Sequence, residues 1–257
     1  MDRIVDPSLG SAVLAEHASR RQRGGRLGTA LVAQLADDIV GGTYPPGSSL
    51  PTEAELGEAF GVSRTVVRES VMLLQDKGLV RIVHGKGTQV TDPRSWDMID
   101  DVVLSAMVRH DDTLGILDEL VLVRAALEQD MAAAAAERAT PAQRDQIQVA
   151  FDAMERSAHD VAEFALADVV FHDAVMDASG SRLARAIVTS IHGKARTTGR
   201  YHGSTSADLI AETLDEHRTI LTAIGQGDKA AAATAMHAHI TGSWARRRPA
   251  GAPAGRE

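Results

Sequence analysis

The chain has 257 residues, a net charge of -8, 44% hydrophobic and 3% aromatic residues, and no cysteine. That length and apolar content suit two ordinary domains with real cores. The missing cysteines exclude disulfides, thiolate metal sites and cysteine nucleophiles, and so few aromatic rings argue against a stacking platform for single-stranded nucleic acid. Neither a signal-peptide core nor an apolar run of spanning length is present, so a soluble, cytoplasmic protein without a membrane partner is expected. The acidity is uneven. Residues 1–26 hold five arginines against three acids, and 246–257 hold four arginines against one, so most of the negative charge lies in 93–245. Such asymmetry permits nucleic-acid binding without establishing it.

In chain order, 1–26 reads as a flexible basic arm ending in "RRQRGGR". Leu31, Val32, Leu35 and Ile39 then form a helical stripe that stops at the breaker cluster "GGTYPPG". Thr52 with Glu55 three residues on predicts a capping box for a short helix. After the turn at Gly61-Val62, Ser63 caps a helix whose Val67, Val71 and Leu74 share one buried side, and Gly78 ends it. "LVRIV", "HGKG" and "TQVT" read as strand, turn and strand. Residues 27–92 therefore predict a winged helix-turn-helix, and "DPRSW" at 92–96 leads into a linker, 93–96. Beyond it only helical patterns remain, roughly 97–109, 113–138, 141–158, 160–178, 181–200, 206–225 and 228–245, which predicts an all-α antiparallel bundle of six or seven helices. The basic end, 246–257, reads as a flexible tail.

The first part has the chemistry of a duplex reader. Ser63, Arg64, Thr65 and Arg68 occupy the start of the second helix of the helix-turn-helix, the end that such motifs present to the major groove. Free N–H groups and the helix dipole favour phosphate there, and an arginine fork matches guanine O6 and N7. His84, Gly85 and Lys86 form the tip of the wing, where glycines allow close approach of backbone to DNA. Singly, each feature reads equally well as a solvated turn. Their order and spacing together favour DNA.

The segment "YPPGSSLPTEAELGEAFGVSRTVVRESVMLLQDKGLVRIVHGKGTQV" resembles the DNA-binding domain of the GntR family of bacterial transcription regulators, and the helical remainder resembles the effector domain of its FadR branch. The resemblance spans about 27–245 and implies an operator-binding homodimer, since a palindromic operator doubles the few base contacts of one recognition helix. It also implies that Arg64, Thr65, Arg68, His84 and Gly85 stand at DNA-contacting positions. Ala54 departs from the pattern, standing where several relatives carry a base-reading arginine.

In the second half, Asp168 and His172 are four apart and share a face with Phe164, Phe171 and Val175. His217 precedes Ile220, Leu221 and Ile224 at helical spacing, and His239 shares the inner stripe with Met236, whereas His237 faces water. Buried unpaired, these groups would be costly. A divalent metal would satisfy all four, with zinc or nickel first by donor type and manganese or iron as alternatives. Core histidines bonded to carbonyls are the other explanation. The Asp-x-x-x-His pattern followed by two histidines 22 residues apart is similar to the metal site of one FadR-branch group.

Arg124 lies on the apolar stripe Leu117, Val121, Leu127 and Met131, so it needs an anionic partner. That partner is either an internal carboxylate such as Asp168 or Asp173, or the carboxylate of a small effector, as the resemblance implies. His192 and Arg196, one turn apart, are further effector candidates or a solvated face. The leading reading is a regulator, a repressor released by a small organic or sugar acid. The alternative is a metal-dependent hydrolase or lyase fused to a DNA-binding module. It lacks an evident general base and an HExxH spacing.

Overall fold

The computed structural model describes residues 25–197 and 207–248, side chains excepted at 194–197, 207 and 208. The expected arm and tail therefore lie mostly outside the described residues. The chain divides into two compact units, Met1–His110 and Asp111–Glu257.

The first unit contains helix α1 (25–40), α2 (Glu53–Phe60), α3 (Arg64–Asp76), strands β1 (Val80–Val83) and β2 (Gly87–Val90), a 3-10 turn (Pro93–Ser95) and α4 (Asp101–His110). The capping box at α2 forms as its sequence predicts, with Thr52 and Glu55 satisfying each other's backbone N–H groups. Gly61 then turns the chain in the left-handed region at φ 64°, and Ser63 caps α3 through its hydroxyl. Strands β1 and β2 pair antiparallel, with Val80 opposite Val90 and Val83 opposite Gly87. The stretch before α2 joins this wing, since Ser49 bridges to Gln89 and Leu50 N donates to Thr88 O. Leu31, Leu35 and Ile39 of α1 meet Val67, Val71 and Leu74 of α3 and Leu79, Val80 and Val90 of the wing in one buried core.

That core also contains Val103 of α4, with Trp96, Val102 and Met107 packed against it. Polar ties reinforce the apolar contact. Asp100 accepts from Lys77 Nζ and from the N–H groups of Val102 and Val103, and Asp37 pairs with both Arg109 and His110. The expected linker at 93–96 is thus a capped turn inside the first unit, and the helix expected at 97–109 belongs to that unit rather than to the effector domain. The unit boundary falls after His110, not before Asp97.

The second unit holds α5 (Gly115–Arg138), α6 (Pro141–Arg156), α7 (Val161–Ala178), α8 (Arg182–Thr197), α9 (Ala207–Gln226) and α10 (Lys229–Arg247). Its described residues are all-α, as the periodicity predicts. Thr140 with Gln143, Asp160 and Asp228 cap α6, α7 and α10 through their side chains. Helix α5 packs most extensively against α10. Its buried Ala132, Ala135 and Ala136 have no bulk to hold a neighbour away, which accounts for the alanine run. The polar start of the expected tail is recruited into the fold. Arg246 pairs with Glu212 and Glu216, and Arg247 Nε donates to Ser243 O. Arg248 Nε lies 3.0 Å from Asp118 Oδ1, which also accepts from Trp244 Nε1 at 2.6 Å. Carboxylates thus hold Arg246 and Arg248 against the bundle instead of leaving them to trail in water.

Two predictions follow from this packing. Gly78 has φ +73°, and a Cβ there would lie 2.0 Å from Ser95 O. Gly78→Ala should lower unfolding stability by more than about 1 kcal/mol in denaturant titrations. Burial raises the Asp118 carboxyl, but Arg248 and Trp244 outweigh it and hold the group below its ordinary value. The stabilisation is therefore present above the ordinary aspartate range and is lost as pH falls through the lowered value. The melting-temperature gap between wild type and Asp118→Asn should be widest near neutral pH and close on acidification.

Candidate DNA interface and metal centre

In the first unit, Arg64, Thr65 and Arg68 are all exposed at the start of α3. The first turn of α3 contains no acidic residue, so nothing on it cancels the positive end of the helix dipole. Ser63 Oγ accepts from Val66 N at 3.4 Å, leaving neighbouring N–H groups directed outward. Arg68 Nε is 3.5 Å from Glu53 Oε1 of α2, yet its side chain remains 73% exposed. That contact is a weak surface restraint. His84, Gly85 and Lys86 occupy the exposed β1–β2 turn, closed by Lys86 N donating to Val83 O at 3.0 Å. Gly85 and Gly87 take φ of 74° and 79°, so the tip depends on residues without Cβ atoms. Ala54 is exposed in the first turn of α2.

In the second unit, Asp168 and His172 of α7, His217 of α9 and His239 of α10 converge, with one ligand atom from each lying within 4.8 Å of all the others. His172 Nε2 is 3.2 Å from His239 Nε2, and Asp168 Oδ1 is 3.2 Å from His217 Nε2 and 3.8 Å from His172 Nε2. The three histidines are buried, while the Asp168 side chain is 22% exposed and marks the open side. Phe171 meets the His217 ring edge-on at 4.8 Å and walls the cluster off from the core. His237 is exposed, as its helical phase predicts.

The partners of the other ring nitrogens define what these imidazoles offer. His172 Nδ1 donates to Glu128 Oε2 at 2.5 Å, His217 Nδ1 to Thr213 O at 2.7 Å, and His239 Nδ1 to Glu216 Oε2 at 2.8 Å. A carbonyl or carboxylate only accepts, so each Nδ1 carries a proton, and in the neutral ring Nε2 is then the lone pair. Three lone pairs and a carboxylate oxygen therefore face one another. His217 Nε2 is buried without a hydrogen bond despite its nearness to Asp168. Burial pushes the Asp168 carboxyl up, but the surrounding histidines hold it well below its ordinary value. Burial, with His217 and His172 alongside, keeps His239 well below the usual imidazole range and hence neutral. An all-imidazole and carboxylate donor set with each histidine braced behind suits a borderline divalent cation.

Arg124 is buried, as its place on the apolar stripe predicts, but its carboxylate partner is neither Asp168 nor Asp173. Its Nε donates to Glu128 Oε1, one turn along α5, while Asp173 pairs with Arg185. Arg124 Nη1 also approaches His192 Nε2 of α8 at 3.1 Å, and burial followed by that guanidinium keeps His192 well below its ordinary pKa. Burial raises the Glu128 carboxyl, yet Arg124 and His172 bring it down to about 2. The Arg196 side chain lies outside the described residues. A surface cavity of about 870 Å³ opens between α7 and α8, lined by Val170, Met176 and Arg185 among others, and contains none of the four clustered residues.

Glu128 and Glu216 are the residues that sequence reasoning missed. A glutamate four residues after an inward arginine is the spacing of an intrahelical ion pair, and that signal was available. Glu216 sits beside His217 and carries no comparable mark; burial pushes its carboxyl up, against the opposing Arg246.

Comparison with known proteins accords with both halves. The profile described as "Bacterial regulatory proteins, gntR family" matches residues 27–90, and the FCD domain profile matches 119–242. A Mycobacterium tuberculosis protein named as an uncharacterized HTH-type transcriptional regulator, Rv0494, is 34% identical over 85% of this chain and 88% of its own. The galactonate operon transcriptional repressor of Escherichia coli is 31% identical over 83% of this chain and 93% of its own. A solved structure of Lar, from Listeria monocytogenes, shares the fold at a TM-score of 0.54 and 17% identity, covering 86% of this chain and 95% of that one. These are transcription regulators rather than enzymes. With a reader domain at its front and an FCD domain behind, the chain belongs to the GntR family of bacterial transcription regulators.

Proposed function

We propose that this regulator is a homodimeric repressor whose α3 start and β1–β2 turn grip operator double-stranded DNA. Its FCD domain holds one divalent cation, zinc or nickel, between Asp168, His172, His217 and His239. A small organic or sugar acid binding beside that cation releases the operator. The observation that carries the sensing half is the shared tautomer of the three histidines, which turns three lone pairs on one carboxylate oxygen. The cation would supply the missing positive charge and coordination positions for a carboxylate oxygen.

Charge bears on the effector class. Glu128 is matched by Arg124, Arg246 faces both Glu216 and Glu212, and His239 and His192 are neutral. A divalent ion beside Asp168 would be the positive pole for an effector carboxylate, with Arg124 as a second cation. Arg124 and His192, 3.1 Å apart, adjoin the Glu128–His172 bond, and Arg196 follows His192 by one turn. The relative named for galactonate, itself a sugar acid, is in keeping with this ligand class.

Two measurements test the proposal. Sequences selected from a random duplex library should bind wild type in gel shifts, and Arg68→Ala should weaken them by about tenfold or more, the value of a lost bidentate base contact. Equal affinity would remove α3 from the groove. Metal analysis after dialysis against zinc or nickel should find one ion per wild-type chain and far less in His217→Ala, whose melting temperature should no longer rise with metal. Full occupancy in that variant would show that the ligand set is wrong.

A further inference from the structure

The three histidines of the cluster are not held alike. His217 is aimed by a backbone carbonyl of its own helix, which no side-chain substitution removes. His172 and His239 are each aimed by a carboxylate, and each carboxylate is in turn held by an arginine. Arg246 places Nη2 2.8 and 2.9 Å from the two oxygens of Glu216, a half-buried pair near the open end of α10. Glu128 is the deeper case. Its side chain is 1% exposed, one oxygen accepts from Arg124 Nε, and the other accepts from His172 Nδ1.

From this arrangement we infer that Glu128 is a positioning residue for the metal centre, fixing the proton of His172 on Nδ1 so that Nε2 stays open to a cation. The inference rests on the metal-site reading above. Among the cluster residues Glu128 bonds to His172, so its action on the site passes through that ring.

The chemistry of an amide explains why the role needs a carboxylate. Both neighbours of Glu128 donate, Arg124 through Nε–H and His172 through Nδ1–H, and a carboxylate has an acceptor oxygen for each. Glutamine in its place has one acceptor and one donor. The guanidinium charge draws the amide oxygen to Arg124 because a charge-assisted bond is the stronger. The amide NH2 is then left against His172, and the pair is satisfied only if His172 gives up its Nδ1 proton and carries it on Nε2. That tautomer points a proton, not a lone pair, at Asp168 and His239. Removing the arginine as well frees the amide oxygen to accept from His172 Nδ1–H, which restores the original tautomer without restoring the carboxylate.

The test uses the full chain as wild type, Glu128→Gln, and the double variant Arg124→Met with Glu128→Gln. Zinc and nickel affinities are measured by competition with a chromophoric chelator. Imidazole 15N NMR of the metal-free proteins reads the His172 tautomer. Glu128→Gln should bind either metal about 10- to 100-fold more weakly than wild type, the usual cost of losing the partner behind a metal-bound histidine. Its His172 proton should move to Nε2, and the double variant should recover both tautomer and most of the affinity. Metal binding by Glu128→Gln equal to wild type, with an unchanged tautomer, would overturn the inference while leaving the metal centre standing. A wild type that binds neither metal would instead bring down the metal-site reading and this inference with it. Should Glu128→Gln fail to fold, the wild-type spectrum still decides, because an Nε2–H tautomer of His172 in the metal-free chain contradicts the proposal directly.

Discussion

Like-signed electron density brought together away from water is costly, and the FCD domain is organised around such a convergence. Imidazole nitrogens from three helices and a carboxylate oxygen share a space in which each ligand atom lies within 4.8 Å of the rest. Each Nδ1 is committed to an acceptor behind it, so no ring can turn its proton inward without breaking a buried hydrogen bond. The cluster is in effect preorganised for positive charge. Its cost is offset by the surrounding apolar packing of Phe171, Ile220, Ile224 and Met236, which holds the three helices regardless of the polar groups between them. In the proposed function a cation relieves this repulsion, which makes sensing and domain stability parts of one balance.

The bracing groups give the centre a directional character. Arg124, Glu128 and His172 form a chain from α5 to α7, and Arg246, Glu216 and His239 form another between α9 and α10. Asp168 is the exposed edge. The reader half works on different terms. The chain is acidic overall, yet the α3 N-terminus carries no acid in its first turn and the wing tip presents lysine between two glycines. Local field, rather than net charge, governs how such a surface meets phosphate.

Much of this was legible because the informative residues obey helical geometry. Asp168 and His172 at i and i+4, and the phases of His217 and His239 against isoleucine and methionine, place all four inward without any knowledge of tertiary contacts. Capping residues at Thr52, Ser63 and Thr140 were equally readable, since their function is local. What sequence did not disclose depends on which helices meet. Glu128 resembles a surface glutamate until α7 delivers His172 to it, and the carboxylate that inward Arg124 meets is neither Asp168 nor Asp173 but Glu128, one turn away. Arg246 and Arg248 read as part of a solvated tail because their partners, Glu212, Glu216 and Asp118, are distant in sequence.

The placement of α4 has a bearing on how the reader half can be isolated. Val103 closes the same core as Leu35 and Leu74, and Arg109 and His110 anchor to Asp37. A fragment trimmed at Trp96, just past the turn that follows the wing, would expose the underside of α1 and strand Lys77 without Asp100. The compact first unit thus extends to His110, one helix beyond the familiar winged-helix outline.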